Sequence, residues 1–464
     1  MIMKKIIAKL ICPLYLLTIT ICFLFFSHTD PLITNVQSYF YFNHINEFYD
    51  FSLAEIGTAA YLPSIYTILA TWNFPLVILG LVNPDNLLSW SSFYPNSKLS
   101  MQEYAIFLSW YKLGILLLSL ASFVYIKKIR QLIKANTYKS EVIYITSPFV
   151  IFSTMIFSGY DIFSVIFSLI GFYYFLKKDL IKFAIFFSIA ITFKFFALII
   201  FGPLLLLKEK KIIPLIKYSS IAISLTIITA LPFIDNISFF RSILFVMEEK
   251  LSYGEFNLLQ IAFISFYLSI CIYALKFKEK NKEHFFKTSI YIAYLSYAAL
   301  FFTTKFHPQW ILLIMPFIAL SYAFNKNKNY HIFFIEMLGF IAFIFLTINI
   351  WKNNIDQKML AQGPLSQLLP QPQFMMADFF NFHSIKPLLM IIFYLYLAHP
   401  LYLEFLRSQK NENAHYLYLR FIIIYGFIFF SFFTVLPIKQ YESLNPESQE
   451  IYQKSLKCLY STCP

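Results

Sequence analysis

The sequence has few of the residues that keep a protein soluble in water. Only 13% of its 464 residues are charged and only 10 are glycine, whereas 59% are hydrophobic and 20% are aromatic. This composition excludes a soluble globular protein and is typical of a polytopic membrane protein, whose spans are long apolar segments. We therefore expect an all-α, polytopic integral membrane protein.

The sequence also shows no pattern of a cleavable signal sequence, so we expect none. Lys4, Lys5 and Lys9 precede an apolar run that continues to Phe26, which predicts an uncleaved first span with its N-terminus in the cytoplasm. The chain carries a formal net charge of +13. Its positive residues fall in short loops between apolar runs, which is the positive-inside pattern of membrane proteins and argues against nucleic acid as a partner.

Cysteine is scarce, with five residues in the chain. Cys12, Cys22 and Cys271 lie within apolar runs, where we expect inert core residues. Cys458 and Cys463 lie in a polar C-terminal tail. There they either form a small disulfide loop, if the tail faces an oxidising compartment, or remain two free thiols.

The stretch 158–211 is largely apolar, and two of its charges stand where a membrane segment would not be expected to carry them. Asp161 opens one apolar run, and Lys194 lies in the middle of the next. A charge at that depth costs ~2.5–3.5 kcal/mol on insertion scales, so such residues usually face a cavity or a partner. Lysines flank the Lys194 run at both ends, which places both ends in the cytoplasm. The run must therefore enter and return as two short, re-entrant helices of about 13 residues each, with Lys194 at the turn over 192–195.

The apolar runs and positive loops together predict about thirteen membrane segments, with the N-terminus inside and the C-terminus outside. Apart from the short helix pair, the expected spans cover residues 9–27, 104–126, 141–158, 160–176, 213–232, 256–276, 287–303, 309–324, 331–350, 385–407 and 419–437. Residues 28–103 form a long first outer loop, whose apolar stretch 61–82 is expected to be re-entrant or to lie in the interface. Residues 1–438 make one transmembrane domain, and 439–464 form an outer tail.

This topology gathers unusual polar residues at the outer face, each just after a span or in a turn: Asp30, Asp161, Lys194, Lys305, His307 and Gln309. An acid, a lysine and a histidine that converge there suit an anionic, partly lipidic substrate. Each residue also has a structural interpretation. Asp30 can begin a turn, Asp161 can cap a helix, and His307 can hydrogen-bond within its turn. Lys194 can extend to the surface or pair with an acid.

These residues also resemble a known family. Gly159-Tyr160-Asp161, the basic loop KKDLIK and the run AITFKFFALIIFGPLLLL resemble the C-type (GT-C) polytopic glycosyltransferases that use polyprenyl-phosphate sugars. The pattern is similar to the bacterial integral-membrane mannosyltransferase-like family, and more distantly to the catalytic subunit of GPI mannosyltransferase I. Residues 61–66 resemble an aromatic–proline pattern in the family's first outer loop, and residues 307–316 resemble a later turn and helix.

The resemblance implies a GT-C-like fold and an inverting transfer of a hexose-type sugar from a polyprenyl-phosphate donor to a glycan or lipid acceptor. The reaction would take place at the outer, periplasmic face of the inner membrane. Asp30 would be the general base. The cations that would bind the donor phosphate are Lys194, His307, Lys305 and Arg241. The residues that would orient the substrate are Asp161, Gln309 and Tyr66.

The first outer loop departs from some relatives, because no second acid lies two residues from Asp30. This weakens the case for a bound metal. No cofactor is expected, although a divalent cation stays open.

Two other functions stay open. A transporter or flippase of lipid-linked glycans also fits broken helices with a buried lysine, but no second half of the chain repeats the Asp161–Lys194 pattern. An O-antigen-type polymerase would have long outer loops too. Such a polymerase would be expected to carry arginine-rich outer loops, and Arg241 is the only outer arginine in the expected topology.

Overall fold

The computed structural model describes residues 2–91, 99–134, 140–243, 258–303, 306–324, 331–350, 362–368 and 385–405. Within these ranges the chain is built from helices, which confirms the expected all-α class. Three predictions lie outside the described residues. They are the position of Lys305, the thirteenth segment over 419–437, and the tail with Cys458 and Cys463.

Six helices make up the N-terminal part: α1 Ile2–Phe25, α2 Thr29–Phe40, α3 Phe48–Glu55, α4 Pro63–Ile78, α5 Pro84–Ser91 and α6 Met101–Leu132. The described residues of the expected outer loop 28–103 thus include four complete helices, α2 to α5. α4 covers most of the apolar stretch 61–82 and begins at Pro63, which suits a first helical position because it has no N–H to leave unpaired. α6 begins with a capping box between Ser100 and Glu103.

The middle of the chain contains α7 Ser140–Ile145, α8 Pro148–Ile151, a π-helical turn Phe152–Ile156, α9 Asp161–Leu176, α10 Leu180–Phe193, α11 Ala197–Lys208 and α12 Ile212–Ala230. Residues 141–158, which the sequence predicts as one span, do not form one continuous α-helix. Pro148 disfavours a helical conformation at Ser147, whose ψ is 131°. α7 therefore ends before Ser147, and a separate short helix starts at Pro148.

The C-terminal part contains α13 Leu258–Lys276, α14 Lys282–Thr303, α15 Ile311–Ser321, α16 His331–Ile350 and α17 Lys386–Phe405. In the described ranges, two helical stretches are long and apolar enough to cross a membrane, Met101–Leu132 and Ile212–Phe233. Several shorter apolar helices of 10–17 residues accompany them.

Ion pairs bring three turns together at one end of the bundle. Lys178 Nζ lies 2.9 Å from Glu279 Oε1, and Lys208 Nζ lies 3.6 Å from Glu279 Oε2. These residues belong to the α9–α10, α11–α12 and α13–α14 turns, which we call the basic end. α9 and α10 pack along each other and are joined by a turn at this end. The N-terminus of α9 and the C-terminus of α10 are therefore away from it. Asp161 and Lys194 therefore lie at the opposite end.

α9 lies at the centre of the packing, against α6, α10 and α15. A Cβ at Gly171 of α9 would lie 2.6 Å from the Phe187 ring, so glycine allows α10 to approach closely. Separate from the main core lies another buried cluster, made mostly of aromatic residues, which we call the second aromatic cluster. Phe195, the residue after Lys194, packs against this cluster. Its buried residues are Tyr41, Phe48, Tyr49, Ala59, Leu62, Tyr66, Ala70, Phe233 and Phe239.

Candidate functional site

α10 and α11 are separated by a break that contains Lys194, whose backbone is extended (φ −153°, ψ 116°). α10 has 14 residues and α11 has 12. At 1.5 Å per residue they rise only ~21 and ~18 Å, less than a hydrocarbon core of about 30 Å. The structure thus has two short helices where the flanking lysines predict them, and Lys194 occupies the turn.

Lys194 and Asp161 form a buried ion pair. Nζ lies 2.8 Å from Oδ1, and the two side chains are 9% and 1% exposed. The contact is not aligned as a hydrogen bond, and neither group has a hydrogen-bond partner among the described residues. An ammonium has three donors and a carboxylate several acceptor positions, so most of this capacity is unused. Asp161 is the first residue of α9 and does not cap it. The N-cap residue is Tyr160, and the side chain of Tyr160 makes no capping hydrogen bond.

Four aromatic rings surround the ammonium of Lys194. Their centroids lie 5.5 Å away for Tyr61, 5.8 Å for Tyr160, 5.9 Å for Phe196 and 5.6 Å for Trp310. A cation within ~6 Å of a ring face is attracted by the ring quadrupole. The rings also contact each other, since Tyr61 meets Tyr160 edge-on at 4.7 Å and Phe196 meets Trp310 at 4.4 Å. We call these four residues the aromatic cage.

Trp310 brings a predicted outer turn to the pair. It belongs to the 3-10 turn Pro308–Trp310, and its ring lies 5.3 Å from that of His307. Gln309 is buried in the same turn. A Cβ at Gly159 would lie 3.1 Å from Gln309 Cβ, so a glycine there lets this turn approach the chain just before Asp161.

Several buried polar atoms close to the pair have no hydrogen-bond partner among the described residues: Ser153 Oγ, Ser158 Oγ, Oδ1 and Oδ2 of Asp161, Lys194 Nζ and Gln309 Oε1. A buried polar group without a partner costs about 1–3 kcal/mol, so few are expected in a folded protein. The three atoms of the ion pair, together with Gln309 Oε1 in the turn that packs against Gly159, mark a site that a polar ligand or water would satisfy.

The turn before Asp161 also positions Asp30. The His28 backbone N–H donates to Phe157 O at 3.1 Å, and the two rings stack at 4.3 Å. His28 Nδ1 accepts a hydrogen bond from Asp30 N at 3.1 Å and so caps α2. Asp30 is therefore a half-buried residue in the first turn of a helix and not part of an irregular loop.

Tyr61 lies near both acids. Burial raises the pKa of its phenol well above the usual value, and the charges of Asp30 and Asp161 raise it further. Its ring also faces the ammonium of Lys194. Asp161 and Lys194 therefore share one neighbourhood at the end opposite the basic end, and the His28–Phe157 stack brings the start of α2, with Asp30, to the same end.

Tyr66 and Arg241 lie beside this neighbourhood. Tyr66 belongs to the second aromatic cluster, with its ring 4.6 Å from that of Phe48. Arg241 is exposed on a helical stretch, 237–243, whose Phe239 joins the same cluster. The structure places neither side chain in contact with the ion pair.

One buried lysine in this region was missed by the sequence analysis. Lys112 of α6 is fully buried. Its Nζ donates to three main-chain carbonyls, those of Cys22, Phe26 and Met155. The signal was the same as for Lys194, because Lys112 is the only charge in the apolar run 104–126.

Within the described part of the chain, no group of three or more His, Cys, Asp or Glu side chains is arranged to hold a metal ion. Comparison with models of protein families finds no family that matches the chain. A search of curated proteins finds no significant match either. The chemistry of the site is therefore the basis for assigning a function.

Proposed function

We propose that this protein is a C-type membrane glycosyltransferase. It transfers a hexose-type sugar from a polyprenyl-phosphate donor to a glycan or lipid acceptor, at the outer face of the inner membrane. The observation that carries the proposal is the buried Asp161–Lys194 pair with unused hydrogen-bonding capacity. A second acid, Asp30, follows two residues after His28, whose ring stacks on Phe157 in the turn before Asp161. The resemblance of residues 159–211 to such enzymes supports it. The proposal includes about thirteen membrane segments with positive loops inside.

Lys194 binds the donor phosphate in this mechanism. The leaving group is a phosphate monoester on a lipid, which carries its own charge and needs a cation more than a protein acid. A lysine in a low-dielectric site attracts phosphate more strongly than one in water. His307 lies next to the aromatic cage through Trp310 and adds a second donor when it is protonated. Lys305 and Arg241 are further cations on the expected outer side.

Asp30 acts as the general base. It takes the proton from the acceptor hydroxyl while that oxygen attacks C1 of the sugar and the bond from C1 to the phosphate oxygen breaks. The configuration at C1 is thereby inverted. A base needs to reach the hydroxyl within ~2.6–3.2 Å. Asp161 and Gln309 carry buried acceptor atoms suited to sugar hydroxyls, and the aromatic cage offers ring faces for the sugar or the prenyl chain.

The test is transfer of radiolabelled sugar in membrane vesicles from a set of polyprenyl-phosphate monosaccharides. We expect incorporation from one donor with the wild type and none with Lys194→Ala. Lys182→Ala is the matched control, because Lys182 is exposed at the basic end. Equal incorporation by wild type and Lys194→Ala would exclude the phosphate role of Lys194.

A transporter of lipid-linked glycans is the second candidate. The observation that favours it is the helix break at Lys194, since broken helices with a charge at the break are typical of substrate sites in transporters. The same vesicles distinguish the two functions. Movement of a labelled lipid-linked glycan between leaflets, without transfer of sugar from any donor, would favour the transporter.

A further inference from the structure

Lys112 connects the two chain segments that lead to the carboxylates. Its Nζ donates to Cys22 O at 3.0 Å and to Phe26 O at the end of α1. It also donates to Met155 O at 2.8 Å, in the π-helical turn. Asp30 follows the first segment by four residues and Asp161 follows the second by six. One buried ammonium thus ties together the two segments from which these acids project.

The second segment has a conformation that needs such support. Its π-helical turn is a rare structure that is frequently found at functional sites. Ser158 then has φ +63°, a left-handed conformation that residues other than glycine rarely adopt unless their surroundings hold it. Tyr111, the neighbour of Lys112 in α6, donates its hydroxyl to Ser158 O at 2.7 Å. Two adjacent residues of α6 therefore hold the turn before Asp161.

We infer that Lys112 is a positioning residue that sets the separation between Asp30 and Asp161. Its three donors are all taken by carbonyls, so none is left for a substrate. It acts through the α1 end and the π-helical turn, not on the reacting atoms. The catalytic consequence rests on the proposed function, but the geometric inference does not.

The geometry is tested without any substrate, by a cross-link between the two segments. The rings of His28 and Phe157 stack at 4.3 Å and the His28 N–H donates to Phe157 O, so cysteines at these positions lie on adjacent backbone segments, and a disulfide forms only while their Cβ atoms approach to ~3.5–4.5 Å. We expect rapid oxidation of the His28→Cys/Phe157→Cys pair, and at least fivefold slower oxidation when Lys112→Met is added. Peptide mapping identifies the 28–157 linkage. Lys128→Met, an exposed change in the same helix, is the control.

The catalytic consequence is tested by transfer kinetics. We expect Lys112→Met to lower kcat at least tenfold with KM for the donor changed less than threefold, because small misplacements of reacting groups are costly while phosphate binding at Lys194 is kept. Closing the 28–157 disulfide in Lys112→Met should restore kcat to that of the cross-linked chain with Lys112 present. A general folding defect would not be repaired by one cross-link.

Three outcomes separate the possibilities. Equal oxidation rates with and without Lys112 would overturn the inference, whatever the enzyme does. If Lys112→Met slows oxidation but closing the 28–157 disulfide does not restore its kcat, the positioning role is also overturned. The distance between the Asp30 and Asp161 segments would then not be what limits the reaction. Slower oxidation in a chain that transfers no sugar from any donor supports the geometric inference and rejects the proposed function.

Discussion

The ammonium nitrogen of Lys194 lies 2.8 Å from Asp161 Oδ1, although 33 positions separate the residues in the chain and both side chains are almost fully buried. Removal of one partner from a buried ion pair leaves an uncompensated charge, whereas removal of both can be almost neutral. Stability and activity should therefore respond differently to single and double substitutions at these positions.

We expect Asp161→Asn and Lys194→Met each to destabilise the protein by about 3–5 kcal/mol, because each leaves a buried charge without its partner. The double variant should recover most of this stability. It should remain inactive, because the cation proposed to bind phosphate is gone. Thermal melting in detergent measures the first effect and sugar transfer measures the second.

The pair Asp179–Lys182 provides a matched control. Its N–O distance is 3.0 Å, but its side chains are 34% and 55% exposed. Exposed pairs contribute at most ~1 kcal/mol, so neutralising one or both partners should change stability little. A double Asp161→Asn/Lys194→Met variant whose loss of stability equals the sum of the two single losses would show that the buried charges are not coupled.

Asp30→Asn should abolish transfer while donor binding and folding persist. The amide keeps the size and the helix start but cannot accept a proton, and general base catalysis is worth about 10²–10⁴-fold in rate. The measurement is the transfer rate at saturating donor, together with the donor's dissociation constant. Glu55→Gln removes an exposed acid of the same outer region and should leave the rate unchanged. Full activity of Asp30→Asn would exclude it as the base.

The helix break at Lys194 could be predicted from the sequence because an uncompensated charge inside an apolar run is costly and lysines marked both ends of the run. The proximity of Asp161 could only be expected as a shared side of the membrane. Which aromatic residues form the cage could not be predicted, since Tyr61 and Trp310 reach Lys194 from segments more than 100 positions away. In a chain with 20% aromatic residues, composition gives no preference among them.

The turn before Asp161 shows a second limit. Pro148 indicates a break, yet the apolar run 141–158 reads as one span because hydrophobicity does not report backbone geometry. The π-helical turn and the left-handed Ser158 depend on hydrogen bonds from α6. Such long-range bonds leave no periodic pattern in the sequence, and Lys112 was visible only as one more lone charge.

Gly171→Ala should destabilise the protein by about 1–3 kcal/mol through overpacking, because its Cβ would lie 2.6 Å from the Phe187 ring in the α9–α10 contact. Thermal melting of the purified protein measures the change. Gly202→Ala is the control, since its Cβ would meet only the Tyr267 hydroxyl, at 3.2 Å. Equal melting temperatures for Gly171→Ala and wild type would mean that Phe187 moves aside without cost.

The two ends of the bundle should face opposite sides of the membrane. Glu209 lies at the basic end beside Lys208, whereas α3 is joined to the Lys194 end because Tyr49 donates to Tyr61 O at 2.7 Å. In a background without native cysteines, Glu55→Cys should react with an impermeant maleimide in intact cells. Glu209→Cys should react only after the membrane is opened, because positive loops stay in the cytoplasm. The reverse pattern would place the Asp161–Lys194 site inside the cell and exclude transfer at the outer face. Reaction of both cysteines in intact cells would contradict the proposed orientation as well, since the basic end would then be outside.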